Sequence, residues 1–417
     1  MKILHISTLD SGGAAKSAIN LHLGLLQIGV KSNFLSLYKS RDDIPNHYQF
    51  RLPERNFLDR LKNSIRFRID QKKKRFVQNK FSSVQKFSSP ETIFRVSRHP
   101  LIEEADIINL HWVADFLDYQ TFFEENEKPI VWTLHDMNPF SPGYHYLTGL
   151  NTSENEILLR KTENFKKKAL SGGVSSIQIV SPSQWLANES LNSRVMNGFD
   201  HHVIPYGIDV ASFTVQNKEK CRLSFGIENS TKPVLLFLAN HIDNPLKGFD
   251  LLLKAMTLLG SAVLDQIILL IVGRTTETVR NKLDTLNCDI RYSGHLDSIS
   301  RLSMAYNSAD IFLMPSIEDN FPNTIIESLA CGLGVLAFSI GGMKDTIIDG
   351  VNGSLVKEVT SEAYSFRLNE ILHNKSWNRF NRESISSSTK EKYTLEQQAT
   401  QYTKLYQKIL MNASKDH

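Results

Sequence analysis

The chain has 417 residues, 41% of them hydrophobic, with 48 basic against 44 acidic side chains and a formal charge of +4. This length and apolar content can bury a large core and predict two domains or more, and the charge excess is too small to imply a nucleic-acid partner. Cys221, Cys288 and Cys331 are odd in number, far apart and without a C-x-x-C pair, which disfavours a disulfide framework or a zinc site and fits a reducing compartment.

The opening MKILHIST reads as a strand, lacking the apolar core and cleavage site of a signal peptide. A turn follows at Asp10-Ser11-Gly12-Gly13, then a helical pattern over 14–27 ended by Gly29, then a strand over 31–37. This β-α-β unit starts a parallel, doubly wound sheet. Further strands are predicted at 107–110, 130–133 and 177–180, all near-continuous apolar runs suited to burial on both faces. Residues 58–81 stand apart. They carry Arg60, Lys62, Arg66, Arg68, Lys72, Lys73, Lys74, Arg75 and Lys80, with Leu58, Leu61, Ile65, Ile69 and Phe76 at helical spacing. The segment reads as a basic amphipathic helix. Its stripe packs on the first domain in the plainer reading and inserts at a membrane interface in the other; the charges face outward in both.

After a junction near 205–213 the alternation restarts. Strands are predicted at 234–239, 267–272, 290–292, 311–315 and 334–337, and helices at 249–259, 279–286, 299–307 and 324–330. A final helix spans about 395–411. Two doubly wound α/β domains follow: 1–208 with the basic segment, and 209–392. The last stretch, 393–417, is a helix and tail that return to the first domain. The chain has no run of about 18 apolar residues, so no transmembrane helix is predicted.

Four places carry residues suited to chemistry. Gly12-Gly13 follows the first strand, where paired glycines let backbone approach a ligand and the next helix aims its amides at an anion; an ordinary tight turn has the same form. His135, in Trp132-Thr133-Leu134-His135-Asp136, stands just past an apolar strand, at the end where α/β sheets bind ligands. His111, Tyr144 and His145 lie near it in sequence but lack zinc-ligand spacing, and a locally bonded histidine is the plain alternative. Lys247-Gly248 sits before a helix, where a cation opposes the helix dipole unless an anion is present. The richest stretch runs from Pro315 to Glu327. There Asn323 reads as the N-cap of a helix over 324–331 and Gly332 as its C′ residue. Glu327 stands among Ile325, Ile326, Leu329 and Ala330, where a carboxylate is costly without a partner. A ribose diol would serve; a half-exposed carboxylate is the alternative.

In order along the chain, SGGAAKSA, LHW, WTLHDM, SPSQWLANES, VIPYGIDVASF, LKGFDLLLKA, LIVG, YSGHL, ADIFLMPS, DNFPNTIIESLACG and IGGMKDTIIDGVNGSLV resemble the family 4 retaining glycosyltransferases of the GT-B fold. The resemblance covers nearly the whole chain, and its LHWV and WTLHDM look like a bacterial branch acting on exopolysaccharide, capsule or O-antigen. It implies two Rossmann-like domains facing across a cleft, a nucleotide-diphosphate-sugar donor and a glycan or lipid-linked acceptor. It also implies metal-independent, cofactor-free transfer in the cytoplasm or peripherally on the inner face of the plasma membrane. By resemblance, Lys247 and the amides near Asn323, Thr324 and Ile325 hold the diphosphate, with Phe321 in the same loop. Glu327 holds the ribose, Asp319 or Glu318 together with His135 contacts the donor sugar, and Gly12 and Gly13 give room for the approach.

Three departures stand out. The E-x7-E pair of the family has Asp319, eight residues before Glu327, in the first place, with Glu318 adjacent. The arginine expected shortly before the lysine is absent from Ala239–Leu246, and Tyr206 replaces the asparagine of the IPNG turn, a change that reads as structural. Two other classes stay open: a GT-B sugar-nucleotide epimerase, which can share the architecture and needs no acceptor but is opposed by the basic segment and the KG/E-x7-E pattern, and a non-catalytic sugar-nucleotide-binding subunit, which the altered carboxylate and absent arginine allow.

Overall fold

The computed structural model describes residues 1–54, 56–81, 86–146, 156–172, 176–228 and 230–413, excluding the side chains of 73, 76–81 and 158. The chain divides into two compact units, Met1–Gly207 with Leu395–His417, and Ile208–Thr394.

Unit 1 is built on seven strands: β1 (Lys2–Ser7), β2 (Lys31–Ser36), β3 (His47–Gln49), β4 (Ile107–Leu110), β5 (Ile130–Thr133), β6 (Ile177–Ser181) and β7 (Asp200–Val203). They form one parallel sheet in the order β3-β2-β1-β4-β5-β6-β7. The central strands β4 and β5 are wholly buried, as their apolar runs require when both faces are covered. The edge strands β3 and β7 escape sequence reasoning because Asp200-His201-His202-Val203 and His47-Tyr48-Gln49 have no apolar run.

The terminal helix Leu395–Ala413 covers one face of this sheet. Tyr402, Leu405, Tyr406 and Ile409 pack with Ile3, Ile107, Val131 and Val180. The Tyr406 hydroxyl accepts from Asn109 Nδ2 at 2.7 Å, and the Tyr402 hydroxyl meets Thr133 Oγ1 at 2.9 Å. Gly24, in the helix Gly13–Gln27, permits this docking: a Cβ there would stand 2.5 Å from the Leu395 carbonyl oxygen.

Unit 2 contains β8 (Val234–His241), β9 (Ile268–Arg274), β10 (Asp289–Gly294), β11 (Ile311–Met314), β12 (Val335–Phe338) and β13 (Gly353–Val356). Its parallel sheet runs β10-β9-β8-β11-β12-β13. In both sheets the strand order reverses beside the first strand, between β1 and β4 and between β8 and β11. The carboxyl ends at such reversals are where open α/β sheets bind ligands.

The basic segment is a helix, Phe57–Phe81. Its apolar stripe does not pack on the unit: Leu58, Leu61, Ile65 and Ile69 are exposed. The helix is seated by Phe67 instead, which packs against the main core of unit 1. Not every charge faces outward either, since Lys74 turns inward to pair with Asp70 at 2.7 Å. The expected positions of Lys73, Phe76 and Lys80 lie outside the described side chains.

Candidate functional site

In unit 2 the chain leaves β8 through a short 3-10 turn, Pro245–Lys247, started by Asn244, whose side chain accepts from Leu246 N at 3.0 Å. Gly248 then takes a left-handed conformation, φ 71°. A Cβ at this position would lie 1.9 Å from the Pro315 carbonyl oxygen, so only glycine fits. The turn is therefore pressed against the end of β11, and Ile317 N donates to Leu246 O at 3.0 Å. This contact brings two predicted site residues together: Lys247 Nζ lies 2.7 Å from Asp319 Oδ2. The lysine is one-third exposed, the aspartate 13%. Lys247 is thus not a solvated cation awaiting an anion; a carboxylate already meets it. Glu318 is buried beside Asp319, and the described ion pair with Lys247 is made by Asp319.

The following helix spans Asn323–Ala330, with Pro322 rather than Asn323 at the N-cap and no side-chain cap. The expected start is one residue late because Asn323 is the stronger N-cap by residue type, whereas the helix here begins at Asn323 itself. Gly332, at φ 72°, is the left-handed residue after the helix, as expected. Of the three amides expected to hold a diphosphate, that of Ile325 already donates to Pro322 O at 3.0 Å; Asn323 and Thr324 are half-buried in the first turn. Phe321 is buried, its ring centroid 6.1 Å from that of Tyr393.

Glu327 is not half-exposed. It is 1% exposed and accepts a hydrogen bond from the Tyr306 hydroxyl at 3.0 Å. The protein itself thus supplies a partner for this carboxylate. Burial, with the Glu327 charge beside it, pushes the Tyr306 hydroxyl well above its ordinary pKa, which keeps it a donor. A cavity of about 440 Å³, lined by Asn244, Gly248, Thr276, Lys282 and Ile317 among others, opens beside the 3-10 turn.

In unit 1, Gly12 stands at φ 89°, ψ 174°, a conformation closed to side chains, and starts the helix Gly13–Gln27 without a side-chain cap. A Cβ added at Gly12 or Gly13 would meet nothing within 4 Å, so the space before this turn is open. The helix begins at Gly13, one residue before its expected start.

His135 lies two residues past β5 and belongs to a buried chain of rings. His5 Nδ1 is 2.8 Å from His111 Nε2, His111 Nδ1 is 3.0 Å from His135 Nε2, and His135 Nδ1 is 2.7 Å from the Tyr206 hydroxyl. Burial first of all lowers the pKa values, that of His135 to about 4 and those of His5 and His111 well below the usual range, so all three rings are neutral near pH 7. Neutral rings give each contact one proton, and the chain can run in either direction. His5 Nε2 has no hydrogen-bond partner. An orphaned N–H is rarer than an orphaned acceptor, so we assign the donors to run from His5 through His111 and His135 to Tyr206.

Both ring nitrogens of His135 are thereby engaged inside unit 1. Tyr206, read from the sequence as a structural replacement, is buried and bonded to the predicted site histidine. Sequence spacing cannot reveal Tyr206 as its partner, nor His5 as the partner of His111, which strand register brings about: His5 pairs with Asn109 in the sheet, two residues before His111.

His145 and Tyr144 belong elsewhere. His145 Nδ1 lies 2.6 Å from Asp136 Oδ2, and Asp136 also accepts from Trp112 Nε1 at 2.8 Å and Asn138 N at 2.9 Å. Burial pushes the Asp136 carboxyl up, but the His145 ring and these donors outweigh it and hold the carboxyl below its ordinary range. Lys166, fully buried, donates to the carbonyls of Asn138 and Ser141. The end of the WTLHDM segment is therefore braced: its Asp136 is held by Trp112 of the LHW motif and by His145. Among the described residues no three His, Cys, Asp or Glu side chains are grouped to hold a metal ion.

Residues 232–374 match the family model described as Glycosyl transferases group 1. Among curated relatives, D-inositol 3-phosphate glycosyltransferase of Mycolicibacterium gilvum is 27% identical over 181 residues, 41% of this chain and 38% of the relative. Phosphatidyl-myo-inositol mannosyltransferase of Mycolicibacterium smegmatis is 33% identical over 161 residues, 38% of this chain and 39% of the relative. The chain thus spans about two fifths of the length of the curated relatives it matches. Similarity to solved structures runs through the whole chain. Sucrose-phosphate synthase from Thermosynechococcus elongatus has a TM-score of 0.69 at 16% identity, covering 99% of this chain and 100% of that one. Anabaena HepE in complex with UDP-glucose has a TM-score of 0.67 at 16% identity, covering 98% and 100%. The two parallel-sheet units therefore have the GT-B fold of these glycosyltransferase structures, and the second unit carries the group 1 match.

Proposed function

We propose that the chain is a retaining glycosyltransferase that moves a sugar, a hexose in the first instance, from a nucleotide-diphosphate-sugar to a glycan or lipid-linked acceptor. Surface-polysaccharide assembly is the process that the LHWV and WTLHDM resemblance supports. The observation that carries the reading is the unit 2 constellation at the β8/β11 reversal: Lys247 against Asp319, followed by a helix start without a side-chain cap and a buried Glu327. The group 1 match covers this same stretch, and the UDP-glucose held by Anabaena HepE supports a nucleotide-sugar donor.

In this reading Lys247 and the amides of Asn323 and Thr324 hold the diphosphate. Negative charge grows on the leaving phosphate as the anomeric bond breaks, and a fixed cation with helix amides stabilises that charge electrostatically. Glu327, oriented by Tyr306, takes the ribose. Asp319 takes a hydroxyl of the donor sugar, and a hydroxyl that replaces Tyr206 at Nδ1 brings in His135. Gly12 and Gly13 keep the approach open. Unit 2 serves the donor and unit 1 the acceptor, and because lysine and amides handle the diphosphate, the reaction is metal-independent.

The test is a panel of UDP-, GDP-, ADP- and dTDP-sugars, screened by thermal shift and then assayed for nucleotide release with lipid-linked acceptors. Acceptor-dependent release that persists in EDTA is expected. Interconversion of the sugar without acceptor would replace the reading with an epimerase. Binding without any turnover would replace it with a sugar-nucleotide-binding subunit, and activity restored only by magnesium or manganese would refute metal independence.

A further inference from the structure

The helix Phe57–Phe81 has two faces that do different things. One is seated on unit 1. Asn63 Nδ2 donates to Pro53 O at 3.1 Å, Phe67 packs on the core, and Asp70 is buried and paired with Lys74, whose Nζ donates to Asp115 O at 3.1 Å. The positions 63, 67, 70 and 74 recur at one helical face. The other face carries Phe57, Leu58, Leu61, Ile65 and Ile69, which are between 48 and 75% exposed. At about 100° per residue, the centres of the two faces stand on opposite sides of the helix.

Along the edges of the exposed stripe stand Lys62 and Arg66 on one side and Arg68 and Arg75 on the other, with Lys72 continuing it; all five are exposed. None of the five has a carboxylate partner among the described ion pairs, whereas Arg60 has Glu54. A seated helix that keeps a row of large apolar side chains in water, bordered by cations with no carboxylate partner among the described ion pairs, exposes a surface that water alone does not favour.

We propose that this face docks the protein on an anionic lipid surface. The helix lies in the plane of the interface, the Phe57–Ile69 stripe enters the acyl boundary, and the five cations meet lipid phosphates. Charge selects this occupant. A second copy laid on the stripe would bring rows of Lys and Arg against each other with no acid on that face to compensate. Nucleic acid would satisfy the cations but leave the aliphatic stripe without a partner. Only a surface that is apolar inside and anionic outside matches both components. The docking is reversible, as expected for a single interfacial helix with a polybasic border.

The test uses the full chain in co-sedimentation with vesicles of phosphatidylcholine alone and of phosphatidylcholine with phosphatidylglycerol. Binding is expected on the anionic vesicles only and falls with added salt. Each basic residue near such a surface contributes about fivefold in partitioning, so Arg66→Glu, Arg68→Glu, Lys72→Glu and Arg75→Glu together lower it at least about a hundredfold. The pair Ile65→Gln and Ile69→Gln, which leaves the charges intact, lowers it about tenfold or more. All six positions are exposed, and an unchanged thermal midpoint confirms that each variant is folded. Equal recovery on neutral and anionic vesicles, or on neither, overturns the proposal. So does size-exclusion evidence that the chain dimerises and that the isoleucine variant is monomeric, or duplex DNA that binds more tightly than the anionic vesicles and is insensitive to that variant.

Discussion

Replacing Asp319 by Asn separates two roles that a single loss of activity would merge. In the structure Asp319 Oδ2 is 2.7 Å from Lys247 Nζ, so a diphosphate that uses Lys247 must share the cation with this carboxylate. The lysine is one-third exposed, and an ion pair so accessible to water is worth about 1 kcal/mol or less. Asp319→Asn removes that competition and one negative charge near the phosphates. The expected result is tighter binding of the bare nucleoside diphosphate, by about two- to fivefold, together with a severe loss of turnover, because the sugar loses its carboxylate. Lys247→Ala moves affinity the other way. It removes a charge-assisted bond worth about 1.5–3 kcal/mol, which weakens the same ligand about ten- to a hundredfold. Glu318→Gln, one residue out of register, leaves the affinity nearly unchanged. The assay is isothermal titration with whichever of UDP, GDP, ADP or dTDP gives the largest thermal shift. Diphosphate affinity that falls in Asp319→Asn as far as in Lys247→Ala, or that collapses in Glu318→Gln, would refute the assignment of the loop.

Gly248→Ala places a methyl 1.9 Å from the Pro315 carbonyl oxygen at φ 71°; the left-handed cost alone is about 1–2 kcal/mol, so the thermal midpoint drops and diphosphate binding weakens with it. Tyr306→Phe leaves the buried Glu327 carboxylate without its described hydroxyl donor and costs about 1.5–3 kcal/mol in urea denaturation; an unchanged midpoint would mean that this contact carries no weight. Acid weakens unit 1 early. Burial, the leading cause in each case, holds His22 and His135 to about 4 and His5 and His111 well below the usual range. The unfolded chain, titrating near about 6.5, then binds more protons than the folded one below that pH. Stability is therefore lost as pH falls from about 6.5 toward 4, by up to about 1.4 kcal/mol per pH unit for each ring. A flat unfolding midpoint between about pH 7 and pH 5 would contradict this.

The alternation of apolar runs made the two doubly wound sheets legible, because strands buried on both faces have little freedom in composition. The edge strands β3 and β7 were not legible, since half-exposed edges accept histidine, tyrosine and aspartate. In the candidate site, local spacing pointed to Lys247, Asp319, Glu327 and His135. It could not show that Lys247 meets Asp319, 72 residues away, because that contact depends on Gly248 fitting under Pro315. Nor could it show Tyr306 beneath Glu327, or the His5–His111–His135–Tyr206 chain, since both arise from strand and helix packing between distant segments. The basic helix illustrates a different limit: its period was plain, but only its seating by Phe67 and Asp70 settles which face stays in water.

The passage of the chain through its two units has a consequence for biosynthesis. Residues 208–394 form unit 2, and the helix Leu395–Ala413, which emerges from the ribosome after them, covers the face of the unit 1 sheet formed by Ile3, Ile107, Val131 and Val180. Unit 2 has all of its sequence before unit 1 does. During translation the part of the first sheet that this helix covers stays open while an entire second domain is made. A product that stops at residue 394 would leave that face open, so truncation before the last helix exposes Ile3, Ile107, Val131 and Val180 together.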